Sequence, residues 1–298
     1  MSSLAEWNPF QRRSSYSDSE IMQYRIWTAV SFLLSAVTTL AYVLHPLDSS
    51  AHPIWWWNKQ FRTAFTLNPV IVSVYWLALY VNQASYLSSL WNASANETAI
   101  QGAALGSHFI VNNILTFVIT LLFSHGHFLS ALILQIINLF NLTVLYHRHR
   151  NYARWLHWPV VSGPLAWTII AILWTGAIVA PWSDALILRI MGNVAIWAIL
   201  LIGLFFLGVY GDYTMGFSLA VLTWALAMGQ FWEKIIALQW IFAFVIMGVL
   251  FLASFAVAIP IWTGRQVAWL NGAEEQGRIA ASQGSEGERR PLIGEQQA

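Results

Sequence analysis

The chain contains no cysteine, and that one absence removes disulfides, thiolate metal sites, iron–sulfur clusters and palmitoylation together. Charge is nearly as scarce. Only 9% of the 298 residues are Asp, Glu, Lys or Arg, against roughly 25% in an ordinary soluble domain. The formal net charge of +1 builds no basic face of the size a nucleic-acid partner needs. The first twenty residues lack an apolar run, so no cleavable signal peptide is expected and the first spanning helix serves for targeting. No internal repeat is visible. What the chain has instead is apolar surface: 58% hydrophobic residues, with eighteen Trp and seventeen Phe. A soluble chain of this length has nowhere to bury so much, so lipid is the solvent for most of it.

A bilayer core asks for about twenty consecutive apolar residues per helix, and eight segments qualify. They are Tyr24 to Leu44, Pro69 to Trp91, Gly102 to Phe123, Phe128 to Tyr146, Pro159 to Ala180, Ile190 to Tyr210, Met215 to Phe231 and Ile235 to Ile259. Asn68-Pro69 reads as an N-cap followed by proline at the first helical position. Ser162-Gly163-Pro164 is placed to disturb the fifth segment. The seventh is short, and a re-entrant seventh segment would leave seven spans. The expected fold is therefore an all-α integral membrane bundle of about eight helices. It comprises a polar tail over 1–23, a membrane domain over 24–262 and a tail over 263–298 whose composition is that of a disordered segment.

Lys and Arg favour the cytosolic side. With the N-terminus inside and eight crossings, ten fall on inside segments and four (Lys59, Arg62, Arg189, Lys234) outside, which predicts both termini in the cytosol. Two glycosylation sequons, at Asn92 and Asn96, pull the other way, since an acceptor implies a lumenal loop. The charge bias outweighs a pattern that also recurs at Asn141, inside a span.

Apart from helix ends, no Asp, Glu, Lys or Arg falls within a span, which counts against a carboxylate-driven pump or a retinal-type lysine pigment. Uncharged polar residues gather instead on the second to fourth spans: Asn82 and Gln83, then His108, Asn112 and Asn113, then Gln135, Asn138 and Asn141. Steps of three and four place each set largely on one helix face. The third and fourth spans are forced neighbours, so those faces should meet. They serve either as interhelical hydrogen bonds of about 0.6 kcal/mol each or as a polar pocket for a neutral or zwitterionic ligand.

His45, His52, His125 and His127, with Asp48, belong to loops on the expected lumenal face. Imidazoles and a carboxylate are ligand types for zinc or copper, although nothing in the sequence brings the two loops together. His108 has no partner for haem, and no cofactor is expected. Ile54 to Pro69 alternates large aromatics with Lys59 and Arg62, as a segment anchored among lipid headgroups does.

Near the end, Glu288-Arg289-Arg290-Pro291-Leu292-Ile293 resembles the acidic dileucine sorting signals of lysosomal and vacuolar membrane proteins. In those signals the carboxylate (here Glu288) and the aliphatic pair (here Leu292 and Ile293) are read by clathrin-adaptor complexes. The resemblance implies such an adaptor as partner, beside the lipid bilayer itself, and a vacuolar or Golgi/endosomal address.

Three stretches, HPIWWWNKQFRTAFTLNP, SHFIVNNILTF and FNLTVLYHRHRNYARWLHWP, together resemble a fungal family of polytopic membrane proteins catalogued as a domain of unknown function. Some members carry an ATP synthase membrane-subunit label. A proton-translocating subunit needs an intramembrane carboxylate or arginine, which the spans here lack, and the resemblance brings no catalytic residues. Three activities stay open. They are transport of a neutral or zwitterionic solute, non-catalytic organisation of lipid or partner proteins, and metal-dependent lipid hydrolysis by the lumenal histidines. The clustering of amides on neighbouring helices favours transport.

Overall fold

The structure, a computed structural model, describes residues 16–92, 97–149, 154–180, 186–233 and 238–264. Among them the regular structure is helical throughout, and eight helices are long and apolar enough to cross a membrane. We label these spans α1 (Asp18–Leu44), α2 (Pro69–Trp91), α3 (Gly102–Ser124), α4 (Phe128–Arg148), α5 (Arg154–Val179), α6 (Ile190–Tyr210), α7 (Tyr213–Trp232) and α8 (Gln239–Trp262).

Local chemistry sets the helix ends. Ser17 and Glu20 form a reciprocal capping box at the start of α1, with Ser17 N–H donating to Glu20 Oε2 at 2.8 Å. His45 stops the helix in extended backbone immediately before Pro46. Asn68 caps α2 as its sequence suggests, its Oδ1 accepting from the backbone N–H of Val70 and Ile71 at 3.1 Å each. Gly211, in the left-handed region with φ 60°, closes α6, and Asp212 directly opens α7.

α5 departs from the expected boundary. It begins at Arg154, before Pro159, and residues Trp158–Ser162 form a π-turn ahead of the α-helix Gly163–Val179. In this wider register Gly163 N–H bonds to the Trp158 carbonyl. The next residue, Pro164, has no N–H to offer Pro159 in its turn. The Gln83 side chain of α2 fills that vacancy, donating from Nε2 to the Pro159 carbonyl at 2.9 Å.

α7 is the span most in doubt from sequence, yet 67% of its apolar stretch is buried, a share equalled by α5. It packs on α2, α5, α6 and α8, while α1, α3 and α4 complete the other side of the bundle. The α3–α4 and α7–α8 pairs are neighbours, as their short connections require. Outward faces stay apolar, with Leu33, Leu201 and Leu252 well exposed for lipid contact.

Between α1 and α2 lies a short helix, Ile54–Gln60, followed by a segment whose backbone is buried in the bundle. Lys59 and Arg62 stay exposed while Ile54 and Asn58 are buried. Amides satisfy this segment in the absence of secondary structure: Gln230 Nε2 donates to the Thr63 carbonyl at 2.9 Å and Gln239 Nε2 to that of Ala64 at 2.6 Å.

Candidate functional site

The polar faces of α3 and α4 meet. Asn141 Nδ2 donates to the His108 carbonyl at 3.1 Å, and since a carbonyl only accepts, this contact fixes the amide's orientation. Asn141 Oδ1 then faces His108 Nδ1 at 2.7 Å, so the ring carries a proton on Nδ1. Asn141 Nδ2 also reaches Asn138 Oδ1 at 3.4 Å, and Asn138 Nδ2 donates to Asn112 Oδ1 at 2.9 Å. The result is a ladder of one direction, running from Asn141 through Asn138 to Asn112. Asn82 and Asn113 bond within their own helices, to the carbonyls of Ala78 (2.8 Å) and Phe109 (3.0 Å). Gln135 Nε2 reaches α5, at 3.0 Å from Thr175 Oγ1.

Beside the ladder is a cavity of about 80 Å³, lined by α1 to α5 near their midpoints and bordered at one end by Ile54 of the short helix. Gln83, Asn112, Asn113, Gln135 and Asn138 border it; Asn82, His108 and Asn141 are set back from it. Ser35, Thr39, Thr116, Thr120 and Thr168 add hydroxyls. The rest of the wall is apolar, half of it aliphatic, such as Leu79 and Ile119, and half aromatic: Trp76, Tyr80, Phe123, Trp167 and Trp174. These rings brace one another, with Trp76 edge-on to Trp167 at 4.8 Å and Phe123 against Trp174 at 4.7 Å. Trp55 stacks on both Trp76 and Trp174, linking the short helix to the cavity wall. Among the described residues, four buried polar atoms of the wall have no hydrogen-bond partner: Ser35 Oγ, Gln83 Oε1, Gln135 Oε1 and Trp174 Nε1. Each carries a desolvation cost of about 1–3 kcal/mol while it stays unpaired.

Among the described residues, no Asp, Glu, Lys, Arg or His borders the cavity. A charge at mid-membrane costs at least ~2.5 kcal/mol even on insertion scales, and an aromatic wall offsets part of that, by about 2 kcal/mol or more per desolvated contact, for a cation alone. The chemistry on offer is hydrogen bonding and ring contact.

A second polar centre, which the sequence did not single out, lies where α6 passes into α7. Asp212 is fully buried. Its Oδ1 accepts from the N–H groups of Thr214 (3.0 Å) and Met215 (3.1 Å), capping α7, and from the Thr214 hydroxyl at 2.6 Å. Its Oδ2 accepts from Tyr146 of α4 at 3.0 Å and from Ser162 of the α5 π-turn at 2.7 Å. Since Ser162 Oγ gives its hydrogen to Asp212, it accepts from His157 Nδ1, 2.8 Å away. Arg154 completes the centre, with Nη1 3.5 Å from Asp212 Oδ1 and its guanidinium over the Tyr213 ring. Burial works to raise the Asp212 pKa, but His157 and Arg154, then the Thr214 and Ser162 hydroxyls, hold it below the ordinary carboxylate value. Serine stands between histidine and carboxylate, so the order differs from a nucleophile–base–orienter relay. The centre ties α4, α5 and α7 together.

Of the five residues considered for a metal, the structure joins two. His125 Nε2 lies 3.1 Å from Asp48 Oδ2, while its Nδ1 lies 2.8 Å from the Leu121 carbonyl. With an acceptor at each nitrogen, the protonated ring is favoured. The Leu121 carbonyl and then Asp48 raise its pKa, and bonds from the Ser50 hydroxyl and N–H, then from His125, lower Asp48 to about 2. His45 Nδ1 faces the Pro46 carbonyl at 2.9 Å, and His52 stacks on Trp56. His127 opens α4 through its backbone, its carbonyl accepting from Ala131 N–H at 3.0 Å. Among the described residues no group of three or more His, Asp or Glu converges as metal ligands do. Glu288, Leu292 and Ile293 lie outside the described residues, as does Asn96.

Comparison with curated proteins and with solved structures finds no match. The match to a fungal family of unknown function falls further along the chain than residues 52–180, which carry the resemblance, and beyond the cavity-lining helices. Over residues 189–293, which include α7, α8 and Asp212, the chain matches the family model described as fungal protein of unknown function (DUF1774).

Proposed function

We propose that the protein is an integral membrane transporter of a small neutral or zwitterionic solute, with the mid-membrane cavity as its solute site. The observation that supports this is placement. Amides and hydroxyls from five helices border one open space halfway across the spans. Helix association alone asks only that amides bond to one another; it does not ask for room beside them. In this reading both termini face the cytosol, in accord with the Lys/Arg distribution. Glu288, Leu292 and Ile293 then bind a clathrin adaptor and direct the protein to the vacuolar or Golgi/endosomal membrane.

Flux tests the reading. Proteoliposomes holding the full chain should take up small polar solutes faster than empty vesicles, and Asn112→Leu or Asn138→Leu should abolish the difference at unchanged yield of folded protein. A membrane-organising role is the second reading, favoured by the 2.9 Å bond between Asn138 and Asn112. It expects the same substitutions to damage folding or assembly while wild type moves no solute. A metal-dependent lipid hydrolase requires stoichiometric metal in purified protein, lost on His125→Ala with His127→Ala; active metal-free protein rules it out. The address is tested by imaging an N-terminally tagged protein beside a Glu288→Ala, Leu292→Ala, Ile293→Ala variant. Identical distributions reject the sorting role.

A further inference from the structure

We infer that the cavity takes a small, planar, uncharged amide, either urea or a primary carboxamide, in preference to ions and zwitterions; this deepens and rests on the solute-site reading. Size is the first ground. About 80 Å³, at roughly 30 Å³ for each water in the liquid, is room for about three waters, the scale of a solute of four or five non-hydrogen atoms.

Charge is the second. Among the described residues the wall holds no Asp, Glu, Lys, Arg or His. An alkylammonium would find aromatic faces but no counter-charge, and a zwitterion would need a cationic partner for its carboxylate as well.

The third ground is the direction of the hydrogen bonds. Gln83 and Asn113 each commit their NH2 to a backbone carbonyl, and Gln135 gives its own to Thr175, so these three amides keep their oxygens for a ligand. Those of Gln83 and Gln135 have no partner. The Asn141–Asn138–Asn112 ladder runs the other way and consumes the Asn112 oxygen, leaving the Asn112 NH2 as a donor; the Trp174 Nε1–H is a second. A wall that both accepts and donates, without net charge, complements a molecule carrying NH2 and C=O together. A flat amide also lies against an indole face, which Trp76, Trp167 and Trp174 supply.

The test is volume recovery of proteoliposomes containing the full chain after hyperosmotic shock with urea, acetamide or methylammonium chloride. Urea and acetamide should bring recovery well ahead of protein-free vesicles, and methylammonium should not. Gln135→Leu should slow amide recovery about tenfold, the equivalent of one hydrogen bond. If that variant does not assemble, Thr168→Val serves in its place and should also slow recovery. Amide flux unchanged in an assembled wall variant overturns the inference, because the route then bypasses the cavity. Methylammonium passing while both amides are excluded overturns the amide class and leaves the solute-site reading standing. If no solute passes, both fall.

Discussion

At the scale of single residues, Asp212 shows how little a local sequence says about solvation. In YGDYT it stands only as a carboxylate at the membrane interface, between two spans. Its burial depends on Tyr146, Arg154, His157 and Ser162, all at least fifty positions away, and no local pattern announces such partners. Asp212→Ala should destabilise the protein by about 3 kcal/mol, since it removes a helix cap and leaves Ser162 and Tyr146 without an acceptor. Denaturation in detergent would show this; a change within about 0.5 kcal/mol, as for an ordinary surface position, would mean the centre is not formed. His125 is a different case, because its two acceptors give a pH dependence of definite sign. A raised histidine pKa contributes stability in full below about 6.5, lost as pH rises through the raised value; the lowered Asp48 pKa contributes above 3.8, lost as pH falls through about 2. The advantage of wild type over His125→Gln in thermal stability should therefore be largest in mildly acidic buffer and shrink above neutral pH. A pH-independent difference would remove the Asp48–His125 contact from the account.

At the scale of elements, caps were legible and irregularities were only half so. Asn68-Pro69 announced the start of α2 because both residues act within one turn. Ser162-Gly163-Pro164 announced a disturbance in α5 without revealing its form, since the π-turn depends on Gln83 arriving from another helix. Gln83→Leu should cost about 1–3 kcal/mol through the unpaired Pro159 carbonyl, and Gln83→Glu, which can donate there only when protonated, should not restore it at neutral pH. Thermal melts of the two variants decide this, and equal stability with wild type would reject the bond. Gly229 makes a second case. A Cβ there would meet the Thr66 carbonyl oxygen at 2.5 Å and the Leu67 backbone at 2.9 Å, in the buried segment that precedes α2. Backbone gives way poorly, so Gly229→Ala should destabilise by about 1–3 kcal/mol, whereas Gly248→Ala, with open space around its position, should be nearly neutral.

At the scale of the molecule, composition carried most of the information. Low charge and long apolar runs led to eight spans, and the same count appears in the structure because each run must satisfy its own backbone in lipid. The three- and four-residue spacing of Asn138, Asn141, His108 and Asn112 put their helix faces together correctly. The cavity itself was not legible, since it depends on how far five helices stand apart and on indoles from α2 and α5 that read simply as apolar. The central claim is that this space admits a polar solute at mid-membrane. A chain without cysteine permits a direct measurement: place one at Thr168, on the cavity wall, and another at Leu165, 1% exposed in the packed core. The account predicts that Thr168→Cys reacts with a small water-soluble thiol reagent, that acetamide slows the reaction, and that Leu165→Cys stays inert. Equal inertness of both cysteines in folded protein would contradict it.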